Sequence, residues 1–228
     1  MSENATAVAE VRERKHRGFL ADLFLRLVRE KPLGTVGGII VLVLLLTGIF
    51  ANVLAPYDPI ANDMNVRFLP PSGSHILGTD NLGRDLLSRI IFGARISVIV
   101  GLAVATIEVF IATAVGIVSG FFGGKTDTII QRFVDAWMCF PGLVILLTIL
   151  AVLGQGIGQV IIVLGVVLGI GGSRVMRSAV ISIRENVYVE AARAIGSTPA
   201  RTLLHHILPN IVAPMIIIFT LAVGTAIL

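Results

Sequence analysis

Long stretches of the chain carry almost no charge, and short polar segments rich in turn residues separate them. Leu33 to Ala55 has no charged residue, and at 1.5 Å per residue it reaches roughly 34 Å, enough to cross a hydrocarbon core of about 30 Å. Pro56 and Pro59 end it. Ile96 to Phe122 contains one charge, Glu108, near its middle. Ala136 to Ser173 is again charge-free, and as a single helix it would measure roughly 57 Å, nearly two membrane thicknesses. The glycine-rich segment Gly154-Gln155-Gly156-Ile157-Gly158-Gln159 divides it into two spans, about Trp137–Leu153 and Gln159–Met176. After Pro209 the chain is apolar to Leu228. The pattern predicts an all-α fold, a polytopic bundle of transmembrane helices with five spans.

The polar segments have their own local signals. Residues 1–32 form a basic tail with Arg12, Arg14, Lys15, Arg17, Arg26, Arg29 and Lys31. The tail is too charged, and the apolar run after it too long, for a cleaved signal peptide. Within it Phe19 to Val28 fits an amphipathic helix on a membrane surface, and a tail without regular structure fits as well. Residues 56–91 leave the membrane and return, through Pro70, Pro71, Ser72 and Gly73. Thr79 or Asp80 is placed to cap a helix starting near Leu82. Ser119 to Thr126 nearly spells a phosphate-binding loop. Serine replaces its first glycine, and the stretch leaves a span where such a loop would leave a sheet strand, so we read a tight turn. Residues 185–209 read as a helical hairpin. Val187 to Ile195 is rich in helix formers, Gly196 can end it in a left-handed turn, Ser197 or Thr198 can cap a second helix with Pro199 at its first position, and Pro209 is placed to stop that helix.

Composition agrees with a membrane protein. The chain is 55% hydrophobic and 14% charged, with a mean hydropathy of +0.93, against about 25% charged residues in soluble domains. The 24 glycines suit close helix–helix approach in lipid. A single cysteine, Cys139, excludes an intrachain disulfide. The net charge of +4 does not point to nucleic acid, because the basic residues are sorted by topology. With the N-terminus inside, 14 of the 18 Lys and Arg residues face the cytoplasm: the seven of the tail, Lys125, Arg132, Arg174, Arg177, Arg184, Arg193 and Arg201. Arg67, Arg84 and Arg89 lie outside, with Arg95 at the boundary. The positive-inside rule selects this orientation and puts the 185–209 hairpin in the cytoplasm.

Two motifs carry a resemblance. Glu190-Ala191-Ala192, then Gly196, then Leu208-Pro209 resemble the EAA loop of bacterial ABC-importer permeases; His206 departs from the apolar residue usual there. Gly78-Thr79-Asp80, Leu82-Gly83-Arg84-Asp85, Ser88-Arg89 and Gly93-Ala94-Arg95 with Ser97 resemble the permeases of the dipeptide, oligopeptide and nickel importer group, and Asp127, Arg132, Asp135 and Pro141 also match. The resemblance implies one of two homologous permease subunits in the inner membrane. It implies two ATP-binding cassette subunits as partners, an external solute-binding protein, ATP on the partners and no cofactor on this chain. It implies that the loop is a coupling helix seated in a groove of an ATPase subunit. Glu190, Ala191, Ala192, Gly196, Pro199, Leu208 and Pro209 are then the coupling residues, with Gly196 and Pro199 setting the angle of the lever. The family has a sixth span, so the expectation is five of six with the C-terminal end shortened.

Glu108 is the outlier. A carboxylate at membrane depth is costly and points by default to function or to a specific partner. It is a candidate for the solute pathway, and it also supports a competing reading as the ion site of a secondary transporter or channel. An enzyme finds no support: His205 and His206 are adjacent, lie on different helix faces, and make poor joint metal ligands. Asp80, Arg84 and Asp85 fit a structural collar better than a reactive site.

Overall fold

A computed structural model describes residues 30–227. The surface helix expected over 19–28 lies outside the described residues. All regular elements among the described residues are helical. They are α1 (Pro32–Ile49), α2 (Ala51–Leu54), a 3-10 turn (Met64–Val66), α3 (Leu86–Phe122), α4 (Gly124–Met138), α5 (Gly142–Leu153), α6 (Ile157–Arg184), α7 (Val187–Ala194), α8 (Pro199–Thr202), a π turn (Leu203–Ile207) and α9 (Leu208–Ile227). Four stretches are long and apolar enough to cross a membrane, and the bent pair α4–α5 makes a fifth. The chain is an all-α polytopic bundle, as its hydropathy pattern implies. It divides into two compact units, up to Arg95 and from Ile96 onward.

In the first unit, α1 presents an almost wholly exposed apolar surface, the condition of a helix that meets lipid or another subunit. The polar excursion after α2 is knotted by hydrogen bonds that converge on the motif around Gly78–Asp85. The Thr79 hydroxyl accepts from Leu69 N–H at 2.9 Å and donates to the Val66 carbonyl. Asp80 accepts from the N–H groups of Leu82 and Arg84 at 2.8 and 3.0 Å and holds the guanidinium groups of Arg84 and Arg89. Gly83 has φ +75°, and a Cβ there would overlap the Asp63 carbonyl, so only glycine fits. The next helix starts four residues later than the Leu82 register expected. Asp85, buried, is its cap: it accepts from Ser88 N–H and Ser88 Oγ, both at 2.8 Å, and faces His75 Nδ1 at 3.0 Å. Asp80 instead closes the loop before it.

In the second unit, α3 and α6 cross in close contact at two glycine pairs. On α6, Gly165 and Gly169 lie against Ile107 and Ile111; a Cβ on either would come within 2.7 and 2.8 Å of those side chains. On α3, Gly116 and Gly120 lie against Met176, Arg177 and Val180, and a Cβ on Gly116 would sit 2.8 Å from the Arg177 backbone nitrogen. The partners advance together along both helices, so α3 and α6 run parallel. Ile227 and Val223 pack at Gly101, while Ile207 and Ile211 join Phe121, Met176 and Val180 in the core, so α9 runs antiparallel to both.

The parallel pairing constrains what lies between. The chain leaves α3 at Phe122 and enters α6 at Ile157, at opposite ends of the pair, so α4 and α5 together make one return crossing. The straight span read at Trp137–Leu153 is therefore corrected. α4 and α5 meet at an 82° bend over Cys139–Pro141. Pro141 lacks an N–H and disfavours helix at Phe140, which breaks the apolar run there. At 12 residues, α5 alone reaches about 18 Å, short of a crossing. α4 lies across α6: Asp127 holds Arg177, and Asp135, eight positions further, holds Arg174, only one turn away on α6. The Arg132–Asp135 pair expected from spacing is a marginal 4.0 Å contact beside it.

Gly116→Val should separate α3 from α6 and cost about 1–3 kcal/mol, read as a lower thermal midpoint in detergent micelles. Gly224→Ala, on α9 with nothing within 4 Å of the new Cβ, should leave the midpoint unchanged or raise it. In the first unit, burial pushes the Asp80 and Asp85 carboxyls up. The N–H groups of Arg84 and Leu82 at Asp80, and of Ser88 with the His75 ring at Asp85, outweigh it and hold both below the usual range. A depressed folded-state pKa contributes stability above the unfolded-chain value, lost as pH falls below it. Proteolysis of the 56–85 segment should therefore be constant from pH 7 to about 5 and accelerate below about pH 4, and Asp80→Asn should flatten that rise.

Candidate functional site

The 185–209 hairpin begins where α6 ends. The Asn186 side chain donates to the carbonyls of Ser182 and Ile183 at 3.1 and 3.2 Å, closing α6, while its extended backbone starts α7. At the other end of α7, Gly196 N–H donates to Arg193 O and Ser197 N–H to Ala192 O, both at 3.0 Å, with Gly196 at φ +87°. This is a Schellman closure, which needs a left-handed residue at that position. Thr198 is the second cap, accepting from Arg201 N–H, with Pro199 first in α8. The order helix, glycine, cap, proline matches the sequence reading.

One part of that reading is corrected. Pro209 does not stop the second helix. The chain stays helical from Pro199 into α9, through the π turn, where Leu208 N–H reaches back five residues to Leu203 O. The wider turn makes room for a proline ring that would strike the preceding turn of a regular α-helix. The hairpin's second arm is thus the first part of the last span.

The residues expected to form the coupling surface divide by exposure. Ala192 and Val189 are buried and hold α7 to the bundle. The Arg193 guanidinium lies 5.2 Å from the Phe121 ring centroid, and Tyr188 packs on His206. Leu208 packs on the core cluster, while Pro199 and Pro209 are exposed. Glu190 and Ala191 face outward. With them the outer face carries Val187, 81% exposed, and Ile195, 87% exposed. Val187, Ala191 and Ile195 are four residues apart, so they form one apolar stripe beside the Glu190 carboxylate. Spacing alone did not separate the inward alanine from the outward one.

Cations gather at the same end of this unit. Asp127 takes both Arg177 nitrogens, Nε at 2.6 Å, and accepts from Ser119 Oγ, which in turn accepts from Gln131 Nε2 at 2.9 Å. Arg184 donates to Gly120 O at 2.9 Å. The near-phosphate-loop Ser119–Thr126 is a turn that ends α3, with Gly123 at φ +67°, and its Ser119 is buried in this network.

Glu108 is on a different part of the bundle, away from the hairpin residues. It is 8% exposed, and among the described residues its Oε2 has no hydrogen-bond partner. It lines a cavity of about 640 Å³ whose wall includes Trp137, Phe140, Pro141, Gly171 and Gly172, and no hairpin residue. Trp137 Nε1 is also buried without a partner. The sequence reading named Glu108 and missed the rest of the lining. Its available signals were the Gly171-Gly172 pair and the lone tryptophan.

Comparison with known proteins places this architecture. Residues 112–228 match the family described as binding-protein-dependent transport system inner membrane component, and residues 19–71 match the N-terminal TM domain of oligopeptide transport permease C. Among curated relatives, the chain is 34% identical over 228 residues to the probable D,D-dipeptide transport system permease protein DdpC of Escherichia coli, covering all of this chain and 76% of the relative. It is 37% identical over 201 residues to the dipeptide transport system permease protein DppC of Alkalihalophilus pseudofirmus, covering 88% and 66%. It is 35% identical over 219 residues to the oligopeptide transport system permease protein OppC of Bacillus subtilis, covering 96% and 72%. With its membrane-spanning bundle and its EAA hairpin, the chain belongs to the binding-protein-dependent transport system inner membrane component family.

Proposed function

We propose that this chain is one permease subunit of an ATP-driven importer for peptides or related small solutes, and that α7 is the lever through which partner ATPases move it. The observation that carries the reading is the outer face of α7. A short helix, closed at its C-terminal end by the Gly196 turn and anchored by Val189 and Ala192, presents an apolar stripe and one carboxylate to its surroundings. An exposed amphipathic helix of this kind docks in a groove of another protein. The peptide names of the relatives support the cargo class.

In this reading the N-terminus and the hairpin are cytoplasmic, as the charge bias favours, and the 56–91 segment is external, where a solute-binding protein delivers cargo. Two ATP-binding cassette subunits supply hydrolysis, and a second homologous permease completes the pathway. This chain carries no cofactor. ATP closes the cassettes on each other, α7 moves with the groove that holds it, and the spans swing between inward- and outward-facing states. Glu108 lines the solute pathway.

The test is co-purification of the chain with its ATPase, followed by solute uptake in liposomes. Glu190→Lys should lose co-purification and lower uptake by roughly tenfold or more, the loss expected for one charged contact, at unchanged membrane insertion. Gly196→Pro should do the same, because proline is fixed near φ −65° where the chain needs +87°. Normal uptake by both variants removes the lever, and uptake that needs no ATP favours an ion-coupled mechanism.

A further inference from the structure

The cavity beside Glu108 has an unmet chemical demand. An ionised carboxylate in apolar surroundings is tolerated when a cation and hydrogen bonds compensate its lost hydration. Among the described residues no Lys, Arg or His lines this cavity. Arg174, on the next turn of α6 from Gly171, is already held by Asp135. The other unmet group on the same wall is a donor, the Trp137 indole N–H. A third polar residue of the lining, Thr225, already donates to the Leu221 and Ala222 carbonyls, at 3.3 and 3.1 Å. The remaining lining is largely apolar, with Phe140, Ile145 and Leu168 among it.

We propose that this cavity is a subsite for the amino-terminal end of a peptide, with Glu108 as counter-ion to its ammonium group and the Trp137 indole N–H as donor to a neighbouring carbonyl. A metal ion fits less well, because a divalent cation needs several oxygen or nitrogen ligands, and the described residues hold no cluster of three such groups. An ammonium needs one carboxylate and gains from an aromatic face beside it. An α-aminoacyl group brings the cation and the acceptor together, and meets both demands with one small ligand. At about 640 Å³ the cavity lies within the range of small-molecule sites, about 300–1,000 Å³. Gly171 and Gly172 shape its wall. A Cβ on Gly172 would sit 3.6 Å from Glu108 Oε1, so larger side chains there would crowd the carboxyl. The choice of a peptide over another amine rests on the importer reading above.

Trp137 is the chain's single tryptophan, so its fluorescence reports on this cavity alone. Dialanine titrated into the purified full chain in detergent micelles should change the emission saturably. N-acetyl-dialanine, which lacks the ammonium, should bind at least about tenfold more weakly, and Glu108→Gln should weaken dialanine by a similar factor while leaving the acetylated peptide unaffected. Gly171→Leu, placed where a Cβ meets nothing within 4 Å, should fill the cavity and abolish the response. Equal affinity for the two peptides, no saturable response to dialanine, or unchanged dialanine binding in Glu108→Gln overturns the assignment. If Glu108→Gln does not fold, the two peptides on the unaltered chain and Gly171→Leu still decide. The assay contains no ATPase: a retained peptide response with failed ATPase co-purification rejects the importer reading alone, and the reverse result rejects this subsite alone.

Discussion

The second unit depends on the contact of two parallel helices through reciprocal glycines. In lipid there is little hydrophobic drive to press helices together, so close backbone approach and dispersion must do it. Gly165 and Gly169 of α6 admit the branched side chains of Ile107 and Ile111, and Gly116 and Gly120 of α3 admit Met176 and Val180. Each helix supplies the groove at one end and the ridge at the other, which fixes their register. The rest follows from that register. It forces α4 and α5 to make one return crossing. It also brings Arg177 and Arg184 level with the turn that ends α3, where Asp127 and the Gly120 carbonyl receive them.

The hairpin's first helix persists for a different reason. α7 has eight residues, too few for an isolated helix to persist in water. Its persistence comes from its ends and its inner face: Asn186 and the Gly196 closure fix its entry and exit, and Val189 and Ala192 are buried against the bundle. The π turn then passes the chain into α9 with the helical path unbroken.

Hydropathy made the membrane class legible, together with the turn at Gly154–Gln159 and the caps at Gly196 and Thr198, because each rests on local chemistry. The glycine crossing was not legible as a pair. Glycines are frequent throughout the chain, and which of them meet depends on register between helices far apart in sequence. The bend at Pro141 had its signal in the residue itself, but a charge-free run long enough for two spans hid it. Pro209 misled in the opposite way: it reads as a helix stop, yet the π turn before it carries the helix past it, and Pro214 lies inside α9 as well. At the candidate sites Glu108 stood out as a charge out of place, and Glu190 and Ala192 stood out through their motif, whereas Trp137 passed unnoticed because its importance lies in what surrounds it.

Charge placement in the second unit separates two kinds of work. Asp127 with Arg177, and Asp135 with Arg174, are matched pairs that tie α4 across α6. Removing one partner from such a pair leaves a charge to be rehydrated, so these groups are structural. Among the described residues Glu108 has no such partner. It sits one turn from Ala112, on the stretch of α3 that faces Gly169 and Gly172 of α6. α6 therefore carries the cavity wall at its middle and the start of the hairpin at its end. The glycine contacts hold α6 against α3 in one register, so the cavity wall and the start of the hairpin belong to one packed pair of helices. α5 and α9 close the cavity's other sides, with Gly142 and Ile145 of α5 and Ile218 and Ala222 of α9 in the same wall.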